Sequence, residues 1–184
     1  MTIKLIIGLR NPGKQYSKTR HNVGEWFIKK LVKKYNTDYK YKKKFGSELY
    51  TLNINNYTCK ALLPLNFMNL NGLSIKKITD FYKIHPNNIL ISHDDIKLPV
   101  GKIKLQFGGS HEGHNGVKNV INTLGNKEFY RIRLGIKSFI YKREILQYYV
   151  LSEPTLFEKK LILKAILKGI NIFLSIINKP KTPT

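Results

Sequence analysis

The 184-residue sequence predicts a single α/β domain: a mixed, twisted β-sheet flanked by helices, with a long helix at the C-terminus. Three observations lead there. Short apolar runs rich in β-branched residues alternate with amphipathic stretches of helical period. Hydrophobic residues make up 42% of the chain, enough for a full core in a chain of one-domain length. Clusters of Asn, Pro and Gly punctuate the segments.

The elements follow in order. Ile3–Leu9 is a short apolar run and reads as a central strand. Val23–Tyr35 places Val23, Trp26, Phe27, Leu31 and Val32 on one face and lysines opposite, so it is an amphipathic helix. Tyr39–Phe45, lysines loosely alternating with aromatics, reads as an exposed connection. Glu48–Ile54 and Tyr57–Leu63 flank Asn55-Asn56 and form a hairpin. An Asn-rich loop, Pro64–Gly72, leads into a helix over Leu73–Lys83. Asn88–His93 is the next strand, ending at Asp94-Asp95. Gly101–Phe107 alternates apolar with Lys and Gln, a half-exposed strand. Gly108–Gly113 is a flexible loop, His114–Leu124 a helix, and Arg131–Ile136 another alternating strand. Tyr141–Leu151 reads as helical. Pro154 fits the first turn of the last helix, which runs to about Asn178. The domain is thus 1–178, with 179–184 a frayed tail.

Composition narrows the function. Lys and Arg number 33 against 11 Asp and Glu, a formal charge of +22. Such a chain attracts nucleic acid or an anionic surface, with an affinity that falls steeply with salt. No apolar run reaches membrane-span or signal-peptide length, so the expectation is a soluble, cytoplasmic protein with no membrane partner. The single cysteine, Cys59, permits no intrachain disulfide and sits in a strand as a structural thiol.

The chemistry candidates lie in three polar loops: His21-Asn22, His114-Asn115-Gly116 and the acidic pair Asp94-Asp95. There is no Walker spacing, no G-x-S-x-G elbow and no H-E-x-x-H helix. A metal-dependent phosphoesterase using His93, Asp94, Asp95, His111 and His114 is one reading. Another is a His–Asp pair acting on water, because imidazole titrates near neutrality and an Asp on its far nitrogen fixes the tautomer. Asparagine amides suit such a site, since they bind a peptide backbone or an oxyanion without charge.

These residues carry a resemblance. Gly8–Gly13, Tyr16, Thr19–Gly24, Pro64, Phe67–Gly72, His93–Asp95, Gly113–Lys118 and Arg131–Ile136 occur in the order seen in bacterial peptidyl-tRNA hydrolases, and the chain resembles that family over essentially its whole length. The resemblance implies hydrolysis of the ester joining a peptide to the 3′ ribose of tRNA, by a monomer, with no cofactor and no metal. It implies His21 as general base and Asp94 as its partner. Asn11 would distinguish a blocked α-amino group from a free one. Asn69 and Asn115 would bind the peptide backbone near the ester, and Tyr16 and Phe67 would contact the substrate end. For the tRNA phosphates the expected contacts are Lys102, Lys104, Lys118 and Arg133. A non-catalytic RNA-binding protein on the same fold is the competing reading.

The sequence departs from that resemblance in places. Glu112 stands where a glycine is common, and Gln106 where a basic residue is frequent. Leu65-Asn66 replaces small polar residues, and Lys137–Ile140 lacks the usual Gly and Pro.

Overall fold

A computed structural model describes residues 2–35, 42–139, 141–142 and 145–178. Strand β1 (Leu5–Gly8) is followed by helix α1 (Val23–Tyr35). A meander of β2 (Lys42–Lys44), β3 (Ser47–Ile54) and β4 (Tyr57–Pro64) comes next. Then come α2 (Asn71–Phe81), β5 (Ile89–Pro99), β6 (Ile103–Phe107), α3 (Asn115–Leu124), β7 (Tyr130–Lys137), α4 (Leu146–Leu151) and α5 (Leu156–Ile177).

The sheet order is β2-β3-β4-β1-β5-β7-β6. The four central strands are parallel, while β2, β3 and β6 pair antiparallel at the edges. Mixed pairing of this kind follows from the connections: α1 and α2 are long enough to cross over, whereas the Asn55-Asn56 turn permits only a hairpin. Every residue of β1 is buried. Ile6 packs with α1 and α5 on one face, and Leu5 and Ile7 pack with α2 and α3 on the other. Continuous burial of an unalternating apolar run is what a parallel strand between two helical layers requires.

Several boundaries differ from the sequence expectation. Lys42–Lys44 forms an edge strand on β3 rather than a connection; a run of lysines suits an edge that must not recruit further strands. Residues 39–41 lie outside the described residues, as does the tail 179–184. Helix α2 begins at Asn71 rather than Leu73. Strand β5 continues through Asp94 and Asp95 to Pro99 because β7 pairs alongside it. Pro154 is not in the first turn of α5. Thr155 is the cap, accepting from the Glu158 N–H at 3.2 Å while Glu158 accepts from the Thr155 N–H at 2.8 Å; this reciprocal capping box sets the helix start.

The chain leaves β1 toward β4, then crosses over β1 to reach β5. The crevice beyond the carboxyl ends of β1 and β5, where the winding reverses, is where open α/β sheets bind ligands. Two glycines bring α1 down on it. A Cβ on Gly8 would strike the Gly24 carbonyl, and one on Gly24 would strike the Ser92 carbonyl. The loop just before α1, which carries His21, is therefore held against β5.

Candidate active site

His21 ends that loop, and Asp94 points up from β5. His21 Nδ1 donates to Asp94, 2.9 Å from Oδ1 and 3.0 Å from Oδ2. This fixes the tautomer with a bare lone pair on Nε2, an atom able to accept a proton. Asp94 is 2% exposed. Burial works against its charge, but His21 and His114 outweigh that and hold its carboxyl well below the usual carboxylate range. Burial likewise opposes protonation of His21, yet the Asp94 carboxylate prevails and raises its pKa.

His114 is a member of this group that sequence reasoning passed over in favour of Asn115. It is the N-cap of α3, where its Nδ1 accepts the Val117 N–H at 3.2 Å. The proton is therefore on Nε2, which donates to Asp94 Oδ1 at 2.8 Å. One carboxylate oxygen thus receives a donor from each of two imidazoles, whose ring centres are 4.9 Å apart. The signal was available in the sequence: a His directly before a helical run can cap it, and capping orients the ring. His93 meets His114 edge to face, ring centres 4.8 Å apart, and donates from Nδ1 to the Asp94 carbonyl at 2.6 Å. Burial and the neighbouring His114 keep it neutral.

The asparagines approach from separate segments. Asn11 Oδ1 accepts the Met68 N–H at 2.8 Å, which orients its amide. Its backbone is gripped by Asn22, which accepts the Asn11 N–H at 2.9 Å and donates to the Asn11 carbonyl at 2.8 Å. Asn22 in turn donates to Glu25 at 3.1 Å, and Glu25 receives Arg10 at 2.6 Å. Asn71 holds Arg10 the same way, with both bonds at 3.1 Å. This buried Arg10–Glu25–Asn22 network is a second feature that local pattern did not reveal. Asn69 and Asn115 are exposed to the cleft.

Two lobes make up the cleft. The larger, about 500 Å³, is lined by His21, Asp94, His114, Asn115, Arg133 and the 111–113 loop on one side and by α4 on the other. The smaller, about 210 Å³, joins Asn11, Met68, Asn69 and Asn115. His21, Asn115, Gln147 and Val150 belong to both. Helix α4 is held over the cleft by Arg20, which donates to Ser152, to the Glu153 carbonyl and to Glu158, and lies 4.3 Å from the Tyr149 ring centre. Tyr16 and Phe67 meet edge to face at 6.1 Å beside the turn bearing Asn69; Phe67 is half exposed.

Of the basic residues, Lys102, Lys104 and Lys118 are exposed. Arg133, expected to meet tRNA phosphates, is instead largely buried at the cleft wall. It is 7% exposed, donates to Asp95 at 2.5 Å and also donates to Gln106. Residues 131–136 of β7 are all buried, so the alternation of Arg131 and Arg133 does not mark a solvent face. Gln106 thus serves as an acceptor for Arg133. Glu112 lies in the left-handed region at φ 53° and receives Lys97 and Ser110. This ties the 108–113 loop to β5 across the cleft wall.

The metal reading is also revised. Asp95 is committed to Arg133 and the Lys97 N–H, and His111 accepts the Gly113 N–H at 3.1 Å. The group close enough to share a cation is His21, Asp94 and His114, with ligand atoms within 4.8 Å of one another. A cation there would replace both N–H···O bonds to Asp94. Cys59 is buried, and burial pushes its thiol up to about 12, so it is not a nucleophile at neutral pH.

Comparison with known proteins places the chain in a family. The family described as Peptidyl-tRNA hydrolase matches residues 5–182. A peptidyl-tRNA hydrolase of Legionella pneumophila (strain Lens) is 48% identical over 172 residues, 94% of this chain and 90% of the relative. One of Coxiella burnetii (strain CbuK_Q154) is 44% identical over 170 residues, covering 92% and 88%. A crystal structure of the Arg119Gln mutant of the Acinetobacter baumannii peptidyl-tRNA hydrolase superposes with a TM-score of 0.89 at 36% identity, over 96% of this chain and 89% of that one. Identity of this size along almost the whole length, on the same fold, makes the chain a member of the peptidyl-tRNA hydrolase family.

Proposed function

We propose that the chain hydrolyses the ester between a peptide and the 3′ ribose of tRNA, freeing tRNA from prematurely released peptidyl-tRNA. The observation that carries this is the His21–Asp94 pair opening onto a cleft shared with three asparagines. Water lies on His21 Nε2 and attacks the ester carbonyl as its proton passes to the imidazole. The imidazolium formed is stabilised by Asp94 and then protonates the departing 3′ oxygen, with no covalent intermediate. The amides of Asn69 and Asn115 bind the peptide backbone and the developing oxyanion. Asn11, oriented by Met68, excludes a free ammonium and admits a blocked nitrogen. Tyr16 and Phe67 flank the substrate end. Lys102, Lys104 and Lys118 meet tRNA phosphates without reading sequence, as suits a substrate class of every tRNA. The same reading makes the protein a cytoplasmic monomer, since translation supplies the substrate and one chain forms the whole cleft. The domain is taken as 1–178.

Release of N-blocked amino acid from charged tRNA, measured with and without chelator, tests this. Turnover is expected to survive chelation. Loss on chelation, restored by added metal, would transfer His21, Asp94 and His114 to a metal site. Absence of turnover would leave an RNA-binding protein.

A further inference from the structure

Helices α1 and α5 lie on the sheet face opposite α3, and between them runs a groove of about 320 Å³. Its walls carry Lys18, Lys29, Lys30, Lys33 and Lys159, and its apolar lining includes Trp26. The Trp26 indole N–H is spent on the Ser17 carbonyl at 2.8 Å, which ties the groove to the loop leading to His21.

Most of the charge in the groove is uncompensated for a specific reason. Helix α1 has one acidic residue, Glu25, and α5 has one, Glu158. Both carboxylates are turned inward, to Arg10 and Arg20, and both are buried. Lys29 retains a bond to Glu25 at 2.8 Å. Lys18, Lys30, Lys33 and Lys159 are exposed and have no ion pair among the described residues. A concave, single-sign cleft with apolar walls focuses its field and concentrates counter-ions.

We infer that the α1–α5 groove is a docking site for the phosphate backbone of a non-substrate RNA. Lysines are point charges that hold phosphates without reading bases. Concavity favours a strand over a bilayer, whose flat surface would reach only the rim. None of the groove lysines lines the cleft, and Lys118 lies on the opposite sheet face, so the groove is taken as open while a substrate fills the cleft. The choice of RNA among polyanions rests on the proposed esterase reading; the experiment does not, because it scores binding rather than hydrolysis.

The probe is a fluorescent RNA hairpin with no aminoacyl end. Its affinity is measured against salt for the full chain and for the triple variant Lys30→Gln, Lys33→Gln, Lys159→Gln. Each lost phosphate contact flattens the log–log salt slope by about 0.7–0.9, so the variant should lose about 2–3 from the slope. Turnover of N-blocked aminoacyl-tRNA should be unchanged. Neutralising Lys77, Lys83 and Lys127, exposed elsewhere, should alter the slope far less. In the wild-type protein the hairpin should protect Lys30, Lys33 and Lys159 from acetylation, a readout that needs no variant. An unchanged slope, an equal loss in both triple variants, or no protection would overturn the site. A parallel fall in turnover would overturn its independence from the substrate, and binding to anionic vesicles but not to the hairpin would overturn RNA as the occupant.

Discussion

Replacing Asp94 by Asn keeps the size and shape of the side chain and removes one charge. Asp94 accepts from His21 at 2.9 Å and from His114 at 2.8 Å, so the amide must either keep its oxygen between two donors or place its own donor against them. In both arrangements the imidazolium that forms on His21 loses its counter-anion. Charge centres about 4 Å apart at an effective dielectric of about 20 interact by about 4 kcal/mol. At about 1.4 kcal/mol per decade this is about a thousandfold in turnover. The assay is the rate of N-blocked aminoacyl-tRNA hydrolysis across pH. In the wild type, Asp94 raises the His21 pKa against burial, so the rate should fall as pH drops through a value above that of free imidazole. In Asp94→Asn the surviving activity should have its acid limb displaced to lower pH. Turnover within a few-fold of wild type, or an acid limb that does not move, would refute the coupling.

His21→Ala should lower turnover by about two to four orders of magnitude with tRNA affinity nearly intact, measured by single-turnover kinetics and filter binding. Arg10→Met should destabilise the fold by about 3–5 kcal/mol in urea unfolding, because it leaves Glu25 and Glu48 facing an apolar chain where the guanidinium now donates to both. Burial raises the Glu48 carboxyl, but Arg10 outweighs that and holds it below the usual range. The wild-type pair therefore stabilises above the unfolded pKa and is lost as pH falls through the folded one, and the variant should lack that acid-dependent component. Glu112→Gly removes a side chain from a left-handed position that glycine occupies freely. Its thermal midpoint should be no lower than wild type, and a marked fall would mean that the Lys97 ion pair outweighs the strain.

Much of the fold was legible because it is written in local periodicity. Helix α1 has the predicted bounds, and the Asn55-Asn56 hairpin pairs Ile54 with Tyr57. Errors fell where long-range pairing decides: β5 extends past His93 because β7 lies beside it, and Lys42–Lys44 becomes a strand because β3 offers an edge. The His21–Asp94 contact, expected from resemblance, is present at hydrogen-bond distance. His114 was undervalued because its role depends on a ring orientation set by capping and on a carboxylate 20 residues away.

By itself, then, the sequence determined the alternation of elements, the basic character and the residue types of the candidate site, since hydrophobic period, charge and side-chain chemistry are properties of the chain. Only the tertiary structure decided what those charges do. Arg133 alternates like a surface residue yet lies 7% exposed on Asp95, because β7 is covered on both sides. Glu25 and Glu158 look like ordinary first-turn acids yet are buried on Arg10 and Arg20, leaving the lysines of α1 and α5 other than Lys29 without an ion pair among the described residues. Whether a charge meets solvent or a buried partner depends on strand order and helix packing, and no local pattern encodes either.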